Sequence, residues 1–66
     1  SIAEVMVPGL GELTRHADAL TRADACHYLS LIGGESIVPY LKACLTDESA
    51  EVREIAAETL AEMGAQ

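Results

Sequence analysis

Apolar side chains recur at helical spacing in the last quarter of the chain. The set that shares one face of a helix is Val52, Ile55, Ala56, Leu60 and Met63. Glutamates occupy the opposite face, and they are Glu51, Glu54, Glu58 and Glu62. Because an α-helix turns once in about 3.6 residues, the pattern predicts an amphipathic helix with a buried stripe and a solvated acidic stripe.

Similar stripes predict three helices further upstream, so that the full set covers residues 4–15, 21–32, 36–45 and 51–63. The inward residues expected in the first helix are Met6, Leu10 and Leu13, and those in the third are Ile37, Leu41, Cys44 and Leu45. The second helix is apolar over a wider arc, formed by Ala23, Ala25, Cys26, Leu29, Leu31 and Ile32. We therefore expect the second helix to be the central and most enclosed one.

The chain also matches itself at an offset of 31 residues. The matching positions are Glu4, Val7, Pro8, Leu10, Ala19, Arg22, Ala25, Leu29 and Gly33, which recur as Glu35, Val38, Pro39, Leu41, Ala50, Arg53, Ala56, Leu60 and Gly64. Repetition at this period is typical of solenoids, in which each unit buries its apolar face against the next. The sequence thus predicts two stacked helical hairpins.

Local signals support these helix boundaries. Thr21 with Asp24 resembles a capping box, and Asp47 or Ser49 can cap the last helix. The pair Gly33-Gly34 follows Ile32, and Gly64 follows Met63, as is typical of left-handed helix ends. Pro39 fits the first turn of the third helix, where its missing N–H has no intrahelical acceptor.

The first helix carries conflicting signals. By register Pro8 belongs in a first turn, whereas Ser1 with Glu4 offers a capping box that would place Pro8 inside the helix, close to Gly9 and Gly11. We expect this helix to start late, to bend, or to be the least stable of the four.

A family resemblance rests on the second copy. The run Leu45-Thr46-Asp47, followed by Val52-Arg53, Ala56-Ala57, Leu60 and Gly64, resembles the HEAT-like repeats of phycobilisome lyases and of many bacterial scaffold proteins. The resemblance implies an all-α fold in which antiparallel helical hairpins stack as a short α-solenoid. The first copy departs from the pattern at His16, Thr21 and Asp24, as repeats at the edge of an array do.

The same resemblance implies two functional details. The arginine of such a repeat commonly pairs with the aspartate between its helices, which would join Arg53 to Asp47. The second helices of HEAT arrays line the concave side, which places candidate contacts near Gly9, Glu12, Tyr40 and Lys42.

Length and composition narrow the class of protein. The 66 residues fit a single domain, residues 1–66, of about two repeats, and we interpret the chain as a fragment of a longer protein because it lacks an initiating methionine and its second copy ends at Gly64. Only two residues are aromatic, so small and aliphatic side chains must form the core. Charged residues and glycines interrupt every apolar stretch, which predicts a soluble domain without a membrane partner.

The charge disfavours nucleic acid as a partner. Four Lys and Arg against eleven Asp and Glu give a net charge of −7, which repels phosphate backbones. Two cysteines without a dense spacing pattern favour a reducing compartment over a disulfide scaffold. No secretion signal starts the chain, so we expect a cytoplasmic protein.

Cys26 and Cys44 are the most informative candidates for chemistry. They lie almost equally far from the turn at residues 33–36, so antiparallel helices would place them at a similar height. Packed helix axes are about 8 to 10 Å apart, whereas a disulfide needs Cα atoms within about 7 Å. We interpret both as core thiols, with a redox pair as the alternative.

No other chemistry is specified. His16, His27 and Cys26 lack the spacing of a metal site, and Gly9 to Gly11 lacks the rest of a phosphate loop. We therefore predict no catalytic, cofactor-binding or metal-binding residues and no cofactor, and we interpret the histidines as surface residues. The acidic face of the last helix could bind a cation or a basic peptide, although a solvated face explains it more simply.

Two functions remain open. The first is a non-catalytic protein-interaction or scaffolding module, whose partner is another protein or a neighbouring domain of the same parent chain. The second is an accessory domain of an enzyme, either a bilin lyase-like protein or a thioredoxin-like redox enzyme. An exposed terminal helix face offers a third type of contact, a homodimer.

Overall fold

The computed structural model describes residues 2–64, and side chains from residue 5 to residue 64, and this part of the chain is built from α-helices. The helices are α1 (Ile2–Leu13), α2 (Ala19–Ile32), α3 (Val38–Cys44) and α4 (Ala50–Glu62), and a 3-10 helix (Glu35–Ile37) leads into α3. The predicted all-α class is confirmed. Each predicted helix is present, and no boundary is displaced by more than two residues.

The helices pack as two hairpins that stack on each other. Helix α1 contacts α2, and α3 contacts α4, which forms the two copies of the repeat. Helix α2 also contacts α4, and α1 contacts the 3-10 helix, so both elements of the first copy touch the second. Because α2 packs on α1 and on α4, it occupies the inner position that its wide apolar arc predicted.

The core draws on both copies. Its largest fully buried side chains are Leu29, Ile37, Leu41, Val52 and Cys26. Partly buried apolar residues pack around this cluster, among them Leu10, Ile32, Ile55 and Met63. The predicted inner positions Leu29 and Leu60 are 0% and 4% exposed, as equivalent sites one period apart should be.

Four residues predicted to face inward are instead exposed: Met6, Leu13, Leu31 and Leu45. Met6 and Leu13 are 51% and 42% exposed, although their equivalents Ile37 and Cys44 are almost completely buried. The equivalents are covered by the first copy, and no described residue covers Met6 and Leu13 in the same way. Helical periodicity alone does not distinguish a face that meets a neighbouring repeat from one that meets solvent.

The starts of α2 and α4 are built alike. Asp18 caps α2, and its carboxylate accepts the backbone N–H of Thr21 at 3.1 Å. Ser49 caps α4, and its hydroxyl accepts the N–H of Val52 at 3.4 Å. The predicted cap at Ser49 is confirmed, whereas the capping box from Thr21 to Asp24 is wrong because Asp18 binds the first turn and starts the helix earlier.

Proline and glycine behave as predicted except in the first helix. Pro39 lies in the first turn of α3, and the backbone of Gly33 and of Gly64 has a φ of 72°. Helix α1 begins at Ile2 and contains Pro8, so the late start is wrong. The capping role of Ser1 lies outside the described residues.

The two copies are in close contact where Gly11 of α1 meets Tyr40 of α3. A Cβ atom built on Gly11 would overlap the ring of Tyr40, whereas one built on Gly9 would have no atom within 4 Å. Both glycines lie inside α1. Gly11 is therefore required for the close approach, and Gly9 is not.

We expect Leu29→Ala to lower the free energy of unfolding by about 2 to 5 kcal/mol, because it removes a fully buried side chain from the junction of the two copies. Leu31→Ala is the matched control, since Leu31 lies on the same helix and is 69% exposed. Its effect should stay within about 0.5 kcal/mol. Urea denaturation of both variants measures the difference, and equal effects would contradict the assigned core.

Substitution by alanine should change the free energy of unfolding in opposite directions at the two glycines of α1. Gly9→Ala should stabilise the protein by about 0.5 to 1 kcal/mol, because alanine loses less backbone entropy in a helix. Gly11→Ala should destabilise it by about 1 to 3 kcal/mol, because the Tyr40 ring has to move. Denaturant midpoints compare the two, and a second substitution, Tyr40→Ala, should abolish the penalty at position 11.

Candidate functional site

The loops that precede α2 and α4 are held by an arginine in the same way. The Arg22 Nη1 donates to both carbonyl oxygens of residues 16–17, at 2.9 Å each. The Arg53 Nη1 donates to the carbonyl oxygens of residues 47–48, at 2.6 and 3.1 Å. The two arginines are one period apart. In each copy, the arginine in the first turn of the second helix therefore binds the loop that precedes this helix.

Arg22 also bridges the two copies. Its Nε lies 2.9 Å from Asp47 Oδ2, and its Nη2 lies 3.1 Å from Asp47 Oδ1. The same Oδ1 accepts the backbone N–H of Ser49 at 2.8 Å. The two side chains are only 14% and 11% exposed, so this bidentate pair is a partly buried link between the loops of successive copies.

The expected side-chain pair between Arg53 and Asp47 is therefore wrong. The Asp47 carboxylate is directed to Arg22 of the preceding copy, and Arg53 binds the backbone carbonyl of Asp47 instead. The sequence contained one signal of this arrangement. Both copies have the arginine, but His16 replaces the aspartate in the first copy, so Arg22 has no acidic partner at that position in its own loop.

The ion pair changes the acid–base behaviour of both groups. Hydrogen bonds from Arg22, and then from the Ser49 N–H, lower the pKa of Asp47 below its usual range. The Asp47 carboxylate in turn raises the pKa of Arg22. Asp47 is thus held ionised at neutral pH.

Cys26 and Cys44 meet at the same junction. Both are free thiols, and their Sγ atoms are 3.2 Å apart. Cys26 is 0% exposed and Cys44 is 3% exposed. Both thiols are therefore buried in the core, as predicted. The sulfurs nevertheless lie closer than the argument from helix spacing suggested, because both side chains extend into the space between α2 and α3.

An open cavity of about 550 Å³ lies beside these groups. The inter-helix loops of both copies line it, together with Thr14, Arg22, Cys44 and Asp47. Its wall thus combines an ion pair with one of the two thiols. Polar side chains thus border the apolar core at the junction of the copies.

The two histidines lie at the surface, as predicted. His16 Nδ1 accepts the backbone N–H of Asp18 at 3.0 Å, and the His27 ring packs edge to face against Tyr28. Among the side chains that the structure describes, no three of His, Cys, Asp or Glu are grouped so that they could hold a metal ion.

The candidate contacts on α1 and α3 are mostly accessible. Gly9, Glu12 and Lys42 are exposed, whereas Tyr40 is half-buried because its ring lies over Gly11. The structure joins the two helices through this contact.

A second surface, on the outward side of α2, was not predicted. Leu20 and Leu31 are 67% and 69% exposed there, and Tyr28 is 55% exposed. One period later the equivalents of the two leucines are Glu51 and Glu62, which are also exposed. Comparing the copies position by position would have revealed this surface, since leucine replaces glutamate where burial cannot explain it.

Comparison with known proteins gives one positive result. A family model described as HEAT repeats matches residues 7–66. No significant match was found among curated proteins or among solved structures. In the described part of the chain, none of the helices is long and apolar enough to cross a membrane.

We expect Asp47→Asn to lower the melting temperature at pH 7 by about 4 to 8 °C, because Arg22 loses its ionic partner. The folded-state pKa of Asp47 is depressed, so the bridge contributes fully above the unfolded pKa of about 4 and is lost as the pH falls through the lower folded value. The melting temperatures of the variant and the parent should therefore converge in acid. Thermal melts from pH 7 down to pH 2 measure this.

Glu48→Gln is the control, since it removes a neighbouring exposed carboxylate whose charge also acts on Arg22 but leaves the Arg22–Asp47 hydrogen bonds in place. It should leave the melting temperature nearly unchanged. If the difference in melting temperature between Asp47→Asn and the parent stays the same at low pH, the ionised carboxylate is not its cause.

Proposed function

Because the chain belongs to the HEAT-repeat family, we propose that it is a protein-interaction or scaffolding module and that the outward face of α2 is part of its binding surface. Stacked helical repeats form extended surfaces that bind other proteins. The partner is another protein or a neighbouring domain of the same parent chain. The narrower likeness to phycobilisome lyases and an accessory role in an enzyme stay predictions.

The observation that supports this surface is the difference between the copies. At the positions of Leu20 and Leu31, the second copy has Glu51 and Glu62. All four are exposed, so the fold itself accepts a charged residue there. Large apolar side chains on an exposed helix face, where an equivalent helix is acidic, are typical of a surface that is covered on binding.

The charge around these leucines indicates the chemistry of the partner. Asp24 lies between them on the exposed face of α2, and the whole chain carries a net charge of −7. A surface with apolar side chains and a Lys or Arg opposite Asp24 would be complementary. A second copy of this chain would instead bring like charges together, so we favour a different, basic protein over a homodimer.

The surface on α1 and α3 offers a second region for the same partner or for another one. Glu12 and Lys42 supply exposed charges of opposite sign, and Tyr40 supplies part of an aromatic ring. These positions are supported by family resemblance, whereas the α2 face is supported by side chains of this molecule. The experiment below therefore addresses α2 first.

Site-specific photocrosslinking tests the α2 face. A photoreactive benzophenone amino acid is placed at Leu31 in one protein and at Glu62 in another, and both are irradiated in extract from the source cell. We expect a crosslinked protein from position 31 that is absent from position 62. Mass spectrometry then identifies it, and the purified partner is used to measure affinity.

The double variant Leu20→Glu and Leu31→Glu should weaken that affinity about tenfold or more. The matched control adds two glutamates to exposed positions of α4, as Ala57→Glu and Ala61→Glu, and should bind like the parent after correction for the added charge. Equal losses in both variants, or equal crosslinking from positions 31 and 62, would contradict the proposal. Self-association of the parent in sedimentation velocity, abolished by the α2 variant, would identify a homodimer instead.

A further inference from the structure

Both cysteines of the chain lie at the junction between the copies. Cys26 is on α2 of the first copy, and Cys44 is on α3 of the second. Their equivalents one period away are Ala57 and Leu13. The thiols are thus a feature of this one interface, and the repeat pattern does not require them.

The separation of the sulfurs is short enough for a covalent bond after a small movement. The Sγ atoms are 3.2 Å apart, and a disulfide brings them to about 2.0 Å. The remaining approach of about 1.2 Å is within the reach of side-chain rotation and a slight shift of α3. No other residue has to be removed from between them.

The two thiols differ in how a reagent can reach them. Cys44 is 3% exposed and lines the open cavity beside Arg22 and Asp47, whereas Cys26 is completely buried and does not line it. A small reagent in the cavity therefore meets Cys44 first. Cys26 then lies behind it, in contact with its sulfur.

The acid–base properties agree with this order. The Cys26 thiol donates a hydrogen bond to Cys44, and this bond lowers the pKa of Cys44 although burial and the charge of Asp47 act in the opposite direction; Thr14 and Arg22 add to the lowering. The same hydrogen bond, together with burial, raises the pKa of Cys26. Cys44 is thus the thiol that ionises first and the better candidate for the initial attack.

We propose that Cys26 and Cys44 form a reversible dithiol–disulfide site that links the two copies, with a low-molecular-weight disulfide as the oxidant and Cys44 as the attacking thiol. The proposal is independent of the binding surface on α2. It assigns a covalent modification to a pair of residues that the repeat pattern does not require.

The reaction proceeds by thiol–disulfide exchange in two steps. The Cys44 thiolate attacks one sulfur of the oxidant, so a mixed disulfide forms on Cys44 and one thiolate leaves. Cys26 then loses its proton and attacks the Cys44 sulfur, which forms the Cys26–Cys44 bond and releases the second thiolate. The protein loses two hydrogens and two electrons, and the oxidant becomes two molecules of thiol.

The bond would hold α2 against α3. The two cysteines are 18 residues apart in sequence, and the loop between them includes Gly33 and Gly34. Closing this loop restricts the unfolded chain, so the oxidised protein should melt at a higher temperature than the reduced one. The site would then regulate how firmly the second copy is attached to the first.

The test treats the reduced chain with glutathione disulfide under native conditions. We expect the number of free thiols to fall from two to zero, the mass to fall by about 2 Da, and the product to remain monomeric with a raised melting temperature. Dithiothreitol should restore the starting material. A disulfide-linked dimer as the main product, or two thiols that stay free, would overturn the proposal.

Single variants test the order of attack. Cys26→Ala should accumulate one glutathione on Cys44, because no second thiol displaces it. Cys44→Ala should leave Cys26 unmodified while the protein is folded. The reverse pattern would contradict the assigned roles, and circular dichroism verifies that each variant is folded.

The rate of oxidation separates a native site from accidental exposure, and it requires no cysteine variant. If the reaction needs global unfolding, Leu29→Ala should accelerate it in proportion to the increase in unfolded protein. If the cavity admits the reagent to the folded state, the rates of Leu29→Ala and the parent should agree within about twofold. A proportional acceleration would refute the native site.

Discussion

The contact between α2 and α4 is the interaction on which the rest of the structure depends. A single hairpin of this size has too little surface to bury to be stable alone. In this molecule Leu29 of α2 and Val52 of α4 are both completely enclosed, and Ile37 and Leu41 complete the cluster from the second copy. Stability is therefore a property of the stack, and every other feature of the junction is built around this apolar centre.

The ion pair between Arg22 and Asp47 lies at the end of this centre and has a different role. Partial burial costs both groups much of their hydration, so the pair contributes less to stability than its short distances suggest. Its geometry is restrictive, however, because a bidentate bridge and the N–H of Ser49 all converge on one carboxylate. The apolar cluster supplies the attraction between the copies, and the bridge fixes how their loops are aligned.

Helical periodicity and the 31-residue repeat were enough to predict the class of fold, the four helices and the equivalent inner positions Leu29 and Leu60. They were not enough to predict which side of each helix is covered. Met6 and Leu13 have the same pattern as Ile37 and Cys44, yet only the second pair has a preceding copy against it in the described structure. Burial in a stack depends on neighbours, and a pattern within one helix contains no information about them.

The candidate site was harder to predict for a related reason. The family pattern implied a pair between the arginine and the aspartate of one repeat, but the order of residues along the chain does not determine which copy the carboxylate faces. The direction is decided in three dimensions, where Asp47 points toward Arg22 and leaves its backbone carbonyl to Arg53. Likewise, equal distances from a turn placed Cys26 and Cys44 at one height, but only the side-chain directions bring their sulfurs into contact.

The residues that differ between the copies are the more informative ones about function. Positions that agree, such as the two loop-binding arginines, are explained by the repeated fold. Positions that disagree without a difference in burial, such as Leu20 and Glu51, are not explained by the fold, and they are the basis of the proposed binding surface. The cysteines are a third case, since Cys44 and Leu13 differ in sequence and also in burial. The repeat pattern does not require a thiol at either position, so the contact between two thiols across the junction points to chemistry as well as packing.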